Sequence, residues 1–147
     1  MANYQLEEKY VVFQLGKEEF ALSVECVHSI EKLGEVTEVP NAPEYMKGIT
    51  NLRGKILPIV DLKSLLSIQS PGKAEQFIVV TIDEKLIGLI IDEAKEVIDL
   101  PVQQFESLQL QKENFDREIM IANWNGRYFI HLNIEQLLFK WVIQTSC

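Results

Sequence analysis

An internal repeat places the strongest constraint on how this chain can fold. The stretch Asn51–Leu66 (NLRGKILPIVDLKSLL) returns without a gap as Asn123–Leu138 (NWNGRYFIHLNIEQLL), at a shift of 123 − 51 = 72. A second pair, Tyr10–Ile30 and Phe77–Val97, aligns at a shift of 77 − 10 = 67, and apolar positions there meet apolar positions. Self-similarity of this kind indicates repeated structural units, in the order A, B, A′, B′. Modules of roughly 70 residues bury only about 60% of their unfolded surface, so we expect the halves to pack together.

Composition and charge exclude several classes of protein. The chain has 147 residues, of which 47% are hydrophobic and 24% charged, which is typical of a globular protein with a real core. A net charge of −8 argues against a nucleic-acid partner, because such binding depends on clustered Lys and Arg. No apolar run approaches the roughly 20 residues of a membrane span, and the N-terminus lacks a signal pattern. We therefore expect a cytoplasmic protein without direct membrane insertion.

The A units read as β-hairpins. Tyr10–Leu15 and Phe20–Val24 are short, rich in β-branched and aromatic residues, and separated by a polar stretch that contains Gly16. Phe77–Ile82 and Leu86–Ile91 repeat this arrangement around a second polar turn. Each A unit therefore predicts two antiparallel strands.

The B units carry the clearest turn signals. Asn125-Gly126 is typical of a type I′ turn, because both residues tolerate a positive φ. Arg53-Gly54 occupies the matching place in the first B unit, so Arg53 should lie at a hairpin tip. Many short strands with close turns favour small barrels over a sandwich of long strands. We predict a mainly β protein made of two β-barrels side by side, with repeated subdomains at about 10–70 and 77–138 and a closing helix over 134–145.

The sequence offers few candidates for chemistry. His28 and His131 lie in different halves, HExxH and CxxC motifs are absent, and a histidine at a strand position such as His131 is usually a half-buried scaffold residue. The cluster of Asp92, Glu93 and Glu96 fits neither a calcium loop nor a carboxylate pair, and we interpret it as a solvated acidic turn. We expect no catalytic, cofactor or metal site. A constellation formed only by folding would escape this search, so a small barrel enzyme or ligand-binding protein stays an alternative.

Two residues distinguish the first B unit from the second. Arg53 stands where the second copy has Asn125, and the second copy lacks a counterpart to Gly48. Arg is enriched at interface hot spots because its planar fork makes several directional bonds, which favours a contact role for Arg53 over a solvated turn charge. Gly48 allows an unusual backbone angle or a close approach by another chain, or it marks a simple bend at the strand entry.

At this segment the chain resembles a known family. Lys47–Leu62 (KGITNLRGKILPIVDL) is similar to the signature of the CheW family of bacterial chemotaxis coupling proteins, and Glu7–Val24 (EEKYVVFQLGKEEFALSV) and Ile87–Val97 (IGLIIDEAKEV) follow the same family in order. The resemblance runs from about Tyr10 to Leu138. It implies one CheW-like domain, built as two SH3-like five-stranded β-barrels with short helices. It also implies a scaffold without catalysis, which links the regulatory domain of the histidine kinase CheA to the cytoplasmic tips of methyl-accepting chemoreceptors.

The resemblance also assigns candidate contact residues. The family's receptor-contacting groove, between the two barrels, would fall at Val27, Ile30, Gly48, Arg53, Gly88 and Val97. The kinase contact would lie near Val36 and Thr37, on the first barrel. Val27, Ile30 and Val97 occupy A-unit positions where a core role competes with contact. The second B unit departs from the family's usual glycine-led strand.

One rival hypothesis keeps the scaffold role and changes the circuit. Related modules serve other two-component kinase pathways or are joined to a receiver domain. No receiver-like acidic cluster follows Leu138, which favours a stand-alone adaptor.

Overall fold

Eleven strands and one short helix follow one another along the described part of this computed structural model, which covers residues 7–69, 74–112, 115–134 and 137. The strands of the first half are β1 (Glu7–Leu15), β2 (Glu18–Ser23), β3 (Val27–Lys32), β4 (Met46–Leu52) and β5 (Lys55–Asp61), followed by helix α1 (Leu62–Leu65). The second half contains β6 (Gln76–Ile82), β7 (Lys85–Ile91), β8 (Glu93–Pro101), β9 (Phe105–Lys112), β10 (Phe115–Trp124) and β11 (Arg127–His131). Single 3-10 turns lie at Val24–Cys26 and Val102–Gln104.

Two-residue turns close the hairpins β4–β5 and β10–β11, and positive φ angles show why the sequence forms them. Arg53 and Gly54 have φ values of 50° and 85°, and Asn125 and Gly126 have 51° and 79°. Positive φ at both central positions is the mark of the type I′ turn, whose twist matches that of the flanking strands. The predicted turn at Asn125-Gly126 is thereby confirmed, and Arg53 does lie at a hairpin tip.

The described strands form two sheets with matching strand orders. Sheet A has six strands in the order β8-β1-β2-β11-β10-β9, and sheet B has five in the order β3-β6-β7-β5-β4. Each strand of sheet B has a counterpart in sheet A at the same place, and β9 is the additional strand at one end. The prediction of a mainly β protein with two strand-rich subdomains is confirmed.

The strand register reproduces both repeat shifts. Ile59 of β5 lies beside Gly88 of the parallel strand β7, and His131 of β11 lies beside Ala21 of the parallel strand β2. These are equivalent pairs, since 59 + 72 = 131 and 21 + 67 = 88. Residues that the two repeats align in sequence therefore occupy equivalent positions in the two sheets.

Each sheet takes strands from both halves of the chain. The hairpin β1–β2 pairs with strands of the second half, while the hairpin β6–β7 pairs with β3 and β5 of the first half. The predicted boundaries at 10–70 and 77–138 describe the repeat along the sequence. In space, however, the hairpin of each half belongs to the sheet that contains most strands of the other half and pairs with them.

Among the described residues, the buried apolar side chains form three clusters. The largest takes residues from both sheets, including Phe13 and Leu22 of sheet A and Ile78 and Leu89 of sheet B. A second cluster lies within sheet A (Tyr10, Val12, Ala21, Ile98, Leu100, Ala122 and Phe129), and a third lies within sheet B (Leu57, Ile59, Phe77, Val79 and Ile90). The shared cluster packs the sheets together, as expected for halves too small to be stable alone.

The closing helix predicted over 134–145 lies almost entirely outside the described residues. Within them, Ile134 is buried in the shared cluster and Leu137 packs against it. The amide of Leu137 donates to the carbonyl of Asn133 at 3.0 Å, a helical hydrogen bond.

Candidate interaction surface

A groove of about 470 Å³ runs along sheet B beside the predicted contact residues. Its walls are the end of β3, residues 34, 35 and 37, and residues 49–52 of β4, and Ile56 and Phe77 also line it. Thr37, one of the predicted kinase contacts, lies in this lining. The groove therefore combines polar walls with apolar side chains, as protein-binding surfaces do.

Arg53 is fixed to β3 by a two-pronged ion pair. Its Nη1 lies 3.3 Å from Oε2 of Glu31, and its Nη2 lies 3.4 Å from Oε1. Glu31, which the sequence analysis did not single out, is mostly shielded from solvent, whereas Arg53 is exposed. The guanidinium therefore projects from the hairpin tip in an orientation set by Glu31.

Gly48 lies beneath the segment that contains Val36 and Thr37. Thr37 and Ile49 exchange two backbone hydrogen bonds of 2.8 and 2.9 Å, which bring this segment against β4. A Cβ on Gly48 would overlap the carbonyl oxygen of Thr37 and lie 2.9 Å from Cγ1 of Val36, and the φ of Gly48 is 149°. Both the unusual angle and the close approach are present, and the approaching segment is the protein's own. Gly48, a predicted receptor contact, therefore packs against Val36 and Thr37, the two predicted kinase contacts.

Gly88 lies inside sheet B rather than on its surface. A Cβ at this position would lie 2.5 Å from Cδ1 of Ile59 and 2.9 Å from Cδ2 of Phe77. The equivalent residue in sheet A is Ala21, which is fully buried. Glycine at position 88 therefore makes room for two large neighbours in the core of sheet B.

The remaining predicted receptor residues lie on β3 and β8, the equivalent edge strands of sheets B and A. Ile30 of β3 and Val97 of β8 are equivalent, since 30 + 67 = 97, and their exposed fractions are 38% and 57%. Val27, at the start of β3, is half-buried and packs against the shared cluster. Ile30 and Val97 are therefore available for contact, whereas Val27 has a packing role.

Sequence reasoning missed one pair of exposed apolar residues. Ile56 of β5 and Tyr128 of β11 are equivalent, since 56 + 72 = 128, and they are 69% and 66% exposed. The repeat contains the signal for them, because an apolar residue follows the turn by the same number of positions in both B units.

His131 lies in an aromatic cluster of sheet A. Its ring is 5.7 Å from that of Tyr10 and 5.5 Å from that of Phe105, both in edge-on arrangements. Burial lowers the pKa of the His131 imidazole, and the charge of Glu8 acts in the opposite direction. The prediction that His131 is a half-buried scaffold residue is confirmed. In the described part of the chain, three His, Cys, Asp or Glu side chains do not come together in a way that could hold a metal ion.

The interpretation of Asp92 as part of a solvated acidic turn was wrong. Asp92 and Lys63 form an ion pair of 2.5 Å between Oδ1 and Nζ, and their side chains are only 12% and 13% exposed. Oδ2 of Asp92 accepts a 2.7 Å hydrogen bond from the amide of Gly16. This shielding could not be predicted from the sequence, because the partners Lys63 and Gly16 lie far from Asp92 along the chain. Glu96 is also paired, with Nη1 of Arg127 at 3.1 Å.

No helix in the described ranges has the length and apolar character needed to cross a membrane.

Comparisons with known proteins agree on one family. The model of the CheW-like domain matches residues 9–140. The chain is 30% identical over 142 residues to chemotaxis protein CheW of Klebsiella aerogenes, which covers 94% of this chain and 86% of that protein. It is 34% identical over 108 residues to chemotaxis protein CheW of Bacillus subtilis, covering 72% and 69%. The crystal structure of scaffolding protein TtCheW from Thermoanaerobacter tengcongensis superimposes with a TM-score of 0.80 at 33% identity, covering 90% of this chain and 93% of that one.

Proposed function

Because this chain belongs to the CheW-like domain family, we propose that it is a non-catalytic cytoplasmic adaptor that couples chemoreceptors to the histidine kinase CheA in bacterial chemotaxis. The observation that carries this proposal is the family match over residues 9–140, nearly the whole chain. The similar crystal structure is of a protein described as scaffolding. An adaptor needs binding surfaces and no reacting groups, which agrees with the exposed apolar and charged residues described above.

On the receptor side, we assign direct contacts to Arg53, Ile30 and Val97. Arg53 offers a guanidinium already oriented by Glu31, so little side-chain entropy is lost when a partner binds. Ile30 and Val97 offer exposed aliphatic side chains on equivalent strands of the two sheets. Such residues suit an amphipathic receptor helix, whose apolar stripe would lie along them.

Three other predicted receptor residues support this surface from beneath. Val27 packs β3 against the shared cluster, and Gly88 admits the large side chains of the sheet B core. Gly48 admits the segment 36–37 against β4. Substitutions at these positions would alter the surface by moving strands.

On the kinase side, Val36 and Thr37 are the proposed contacts with the regulatory domain of CheA. Thr37 is exposed and lines the groove, while its backbone is fastened to Ile49. Because this segment rests on Gly48 of the same β4 strand that leads to Arg53, the two contact regions share one rigid element. Binding at the two regions can therefore be coupled, typically by about 1–3 kcal/mol and reciprocally.

The variant Arg53→Ala tests this function. It should weaken binding to a receptor cytoplasmic fragment by about tenfold or more, as expected for a hot-spot arginine, and leave the thermal midpoint nearly unchanged because an exposed ion pair adds little to stability. Lys55→Ala, which removes an exposed cation from the same hairpin, is the matched control and should bind normally. Unchanged receptor binding together with a lowered midpoint would show that Arg53 is structural.

Co-purification distinguishes the rival functions. An adaptor of chemotaxis should bring down CheA from its own cells, whereas a scaffold of another two-component pathway should bring down a different histidine kinase. A bound metal or small molecule without any kinase would favour the small barrel enzyme or ligand-binding protein.

A further inference from the structure

Asp92 lies at the point where the chain crosses from one sheet to the other. It stands between β7 of sheet B and β8 of sheet A. Its amide donates to the carbonyl of Gln14 at 3.1 Å, and its Oδ2 accepts from the amide of Gly16 at 2.7 Å. Its Oδ1 pairs with Lys63 of α1, the helix that follows β5 of sheet B. One residue thus binds the β1–β2 hairpin of sheet A to the helix attached to sheet B.

The equivalent crossing in the first half is built differently. There the chain passes from β2 to β3 through Val24–Cys26, and Glu25 occupies the position of Asp92, since 25 + 67 = 92. Glu25 is exposed, and its amide donates to Oγ of Ser23 at 3.3 Å in a local cap. The largely shielded ion pair of Asp92 and Lys63 is therefore a feature that the repeat does not require.

We propose that Asp92 and Lys63 are positioning residues that fix the angle between the two sheets and so couple receptor binding to kinase binding. The shared apolar cluster holds the sheets together, but hydrophobic contact is non-directional and tolerates sliding. The carboxylate of Asp92 is held directionally, because its Oδ2 accepts a charge-assisted hydrogen bond of narrow geometry from the amide of Gly16, while its Oδ1 lies against the ammonium group of Lys63. The ion pair therefore selects one angle from those that the apolar cluster allows.

The angle matters because the proposed partners touch the sheets unequally. The receptor residues span both sheets, with Val97 in sheet A and Ile30 in sheet B, whereas the kinase residues Val36 and Thr37 lie beside sheet B alone. A receptor that straddles the sheets senses their angle, and its binding in turn biases the segment that the kinase contacts. This role rests on the adaptor function proposed above.

The test compares binary with ternary binding for the full chain. The affinity for a receptor fragment is measured with and without saturating kinase regulatory domain, and the ratio is the coupling factor, about 5- to 150-fold for typical coupled sites. In Asp92→Asn and in Lys63→Met the factor should fall toward 1, while the binary affinity for the kinase regulatory domain, whose proposed contacts lie beside sheet B alone, changes by less than about twofold. The control Lys9→Met breaks an exposed ion pair with Asp99 within sheet A and should keep the wild-type factor.

A further variant separates positioning from stability. Asp92→Leu/Lys63→Met replaces the pair with apolar side chains, which often restores or raises stability because no buried charge is left alone. We expect its thermal midpoint to recover while its coupling factor stays near 1. Residual dipolar couplings of the free variants, which report the angle between the sheets without any partner, should differ from those of the wild type.

The proposal is overturned if the single variants keep the wild-type coupling factor, or if the double variant recovers that factor together with its stability. An unchanged angle between the sheets in all variants overturns it as well. A wild-type protein that binds neither partner refutes the adaptor function itself, which is a different outcome from partners that bind and couple normally in the variants.

Discussion

Gly88→Ala is the sharpest test of how the sheet B core is built. The new Cβ would lie 2.5 Å from Cδ1 of Ile59 and 2.9 Å from Cδ2 of Phe77. Carbon atoms pack best at about 3.5–4.0 Å, so both neighbours must move in a core whose side chains are almost fully buried. Overpacking of this kind costs about 1–3 kcal/mol.

The expected net loss is smaller than the steric cost. Alanine in place of glycine within a strand recovers about 0.5–1 kcal/mol of backbone entropy, which leaves a loss of at most about 2.5 kcal/mol and of about 1.2 kcal/mol at the centre of the two ranges. With an unfolding entropy of about 2.1 cal/mol/K per residue, a chain of 147 residues has about 0.31 kcal/mol/K in total, so the central loss should lower the thermal midpoint by roughly 4 °C and the largest loss by roughly 8 °C.

The matched control removes the obstructing methyl group. Ile59→Val deletes Cδ1 and should cost about 0.5–1.5 kcal/mol by itself. In the double variant the closer of the two obstructions is gone and only the contact with Phe77 remains, so the combined loss in urea denaturation should be about 1 kcal/mol smaller than the sum of the single losses. Additive losses, or wild-type stability of Gly88→Ala, would refute the steric reasoning. Receptor binding measured well below the midpoint should weaken by no more than about threefold, because Gly88 touches no partner and acts only through small shifts of the strands that carry the contact surface.

Three further predictions follow from single residues. Gly48→Ala should cost roughly 2–4 kcal/mol in urea denaturation, because the strain at a φ of 149° adds to overlap with a backbone carbonyl, and hydrogen exchange should quicken at Thr37. Glu84→Gly should raise stability by about 0.5–1 kcal/mol in the same assay, since Glu84 holds a φ of 65° in a turn that favours glycine. Burial, helped by the hydrogen bond to Glu8, raises the pKa of Tyr10 to about 12. Its unfolded pKa is about 10, so its contribution to stability is full below pH 10 and is lost as the pH rises toward 12. Urea midpoints of Tyr10→Phe should therefore decline less steeply than those of wild type over this range, and parallel declines would contradict the assignment.

Much of the fold is local and could be predicted from the sequence. Asn125-Gly126 determines its turn through the φ angles that both residues tolerate, and the repeat shifts predict which residues occupy equivalent places. The exchange of hairpins could not be predicted, because Tyr10–Leu15 and Phe77–Ile82 have the same apolar character. Apolar character alone does not indicate which sheet each of these strands joins. The pairing is decided by packing across the whole molecule.

The candidate surface likewise contains residues that local sequence signals predict and residues whose contacts depend on distant parts of the chain. The position of Arg53 at a hairpin tip follows from the adjacent Gly54, a local signal. Its partner Glu31 could not be foreseen, because the contact joins β3 to the β4–β5 turn across the sheet. Asp92 shows the same limit, since its burial depends on Lys63 and Gly16, both distant in sequence.

The crossed hairpins bear on how such a molecule could arise and be divided. Since sheet A borrows β1–β2 and sheet B borrows β6–β7, a gene fragment encoding either half alone would produce a hairpin without its acceptor and an acceptor without its hairpin. Two copies of a single ancestral unit could form the same pair of sheets by exchanging their hairpins, as a swapped dimer. For the same reason, the two halves expressed as separate polypeptides should associate and form both sheets together.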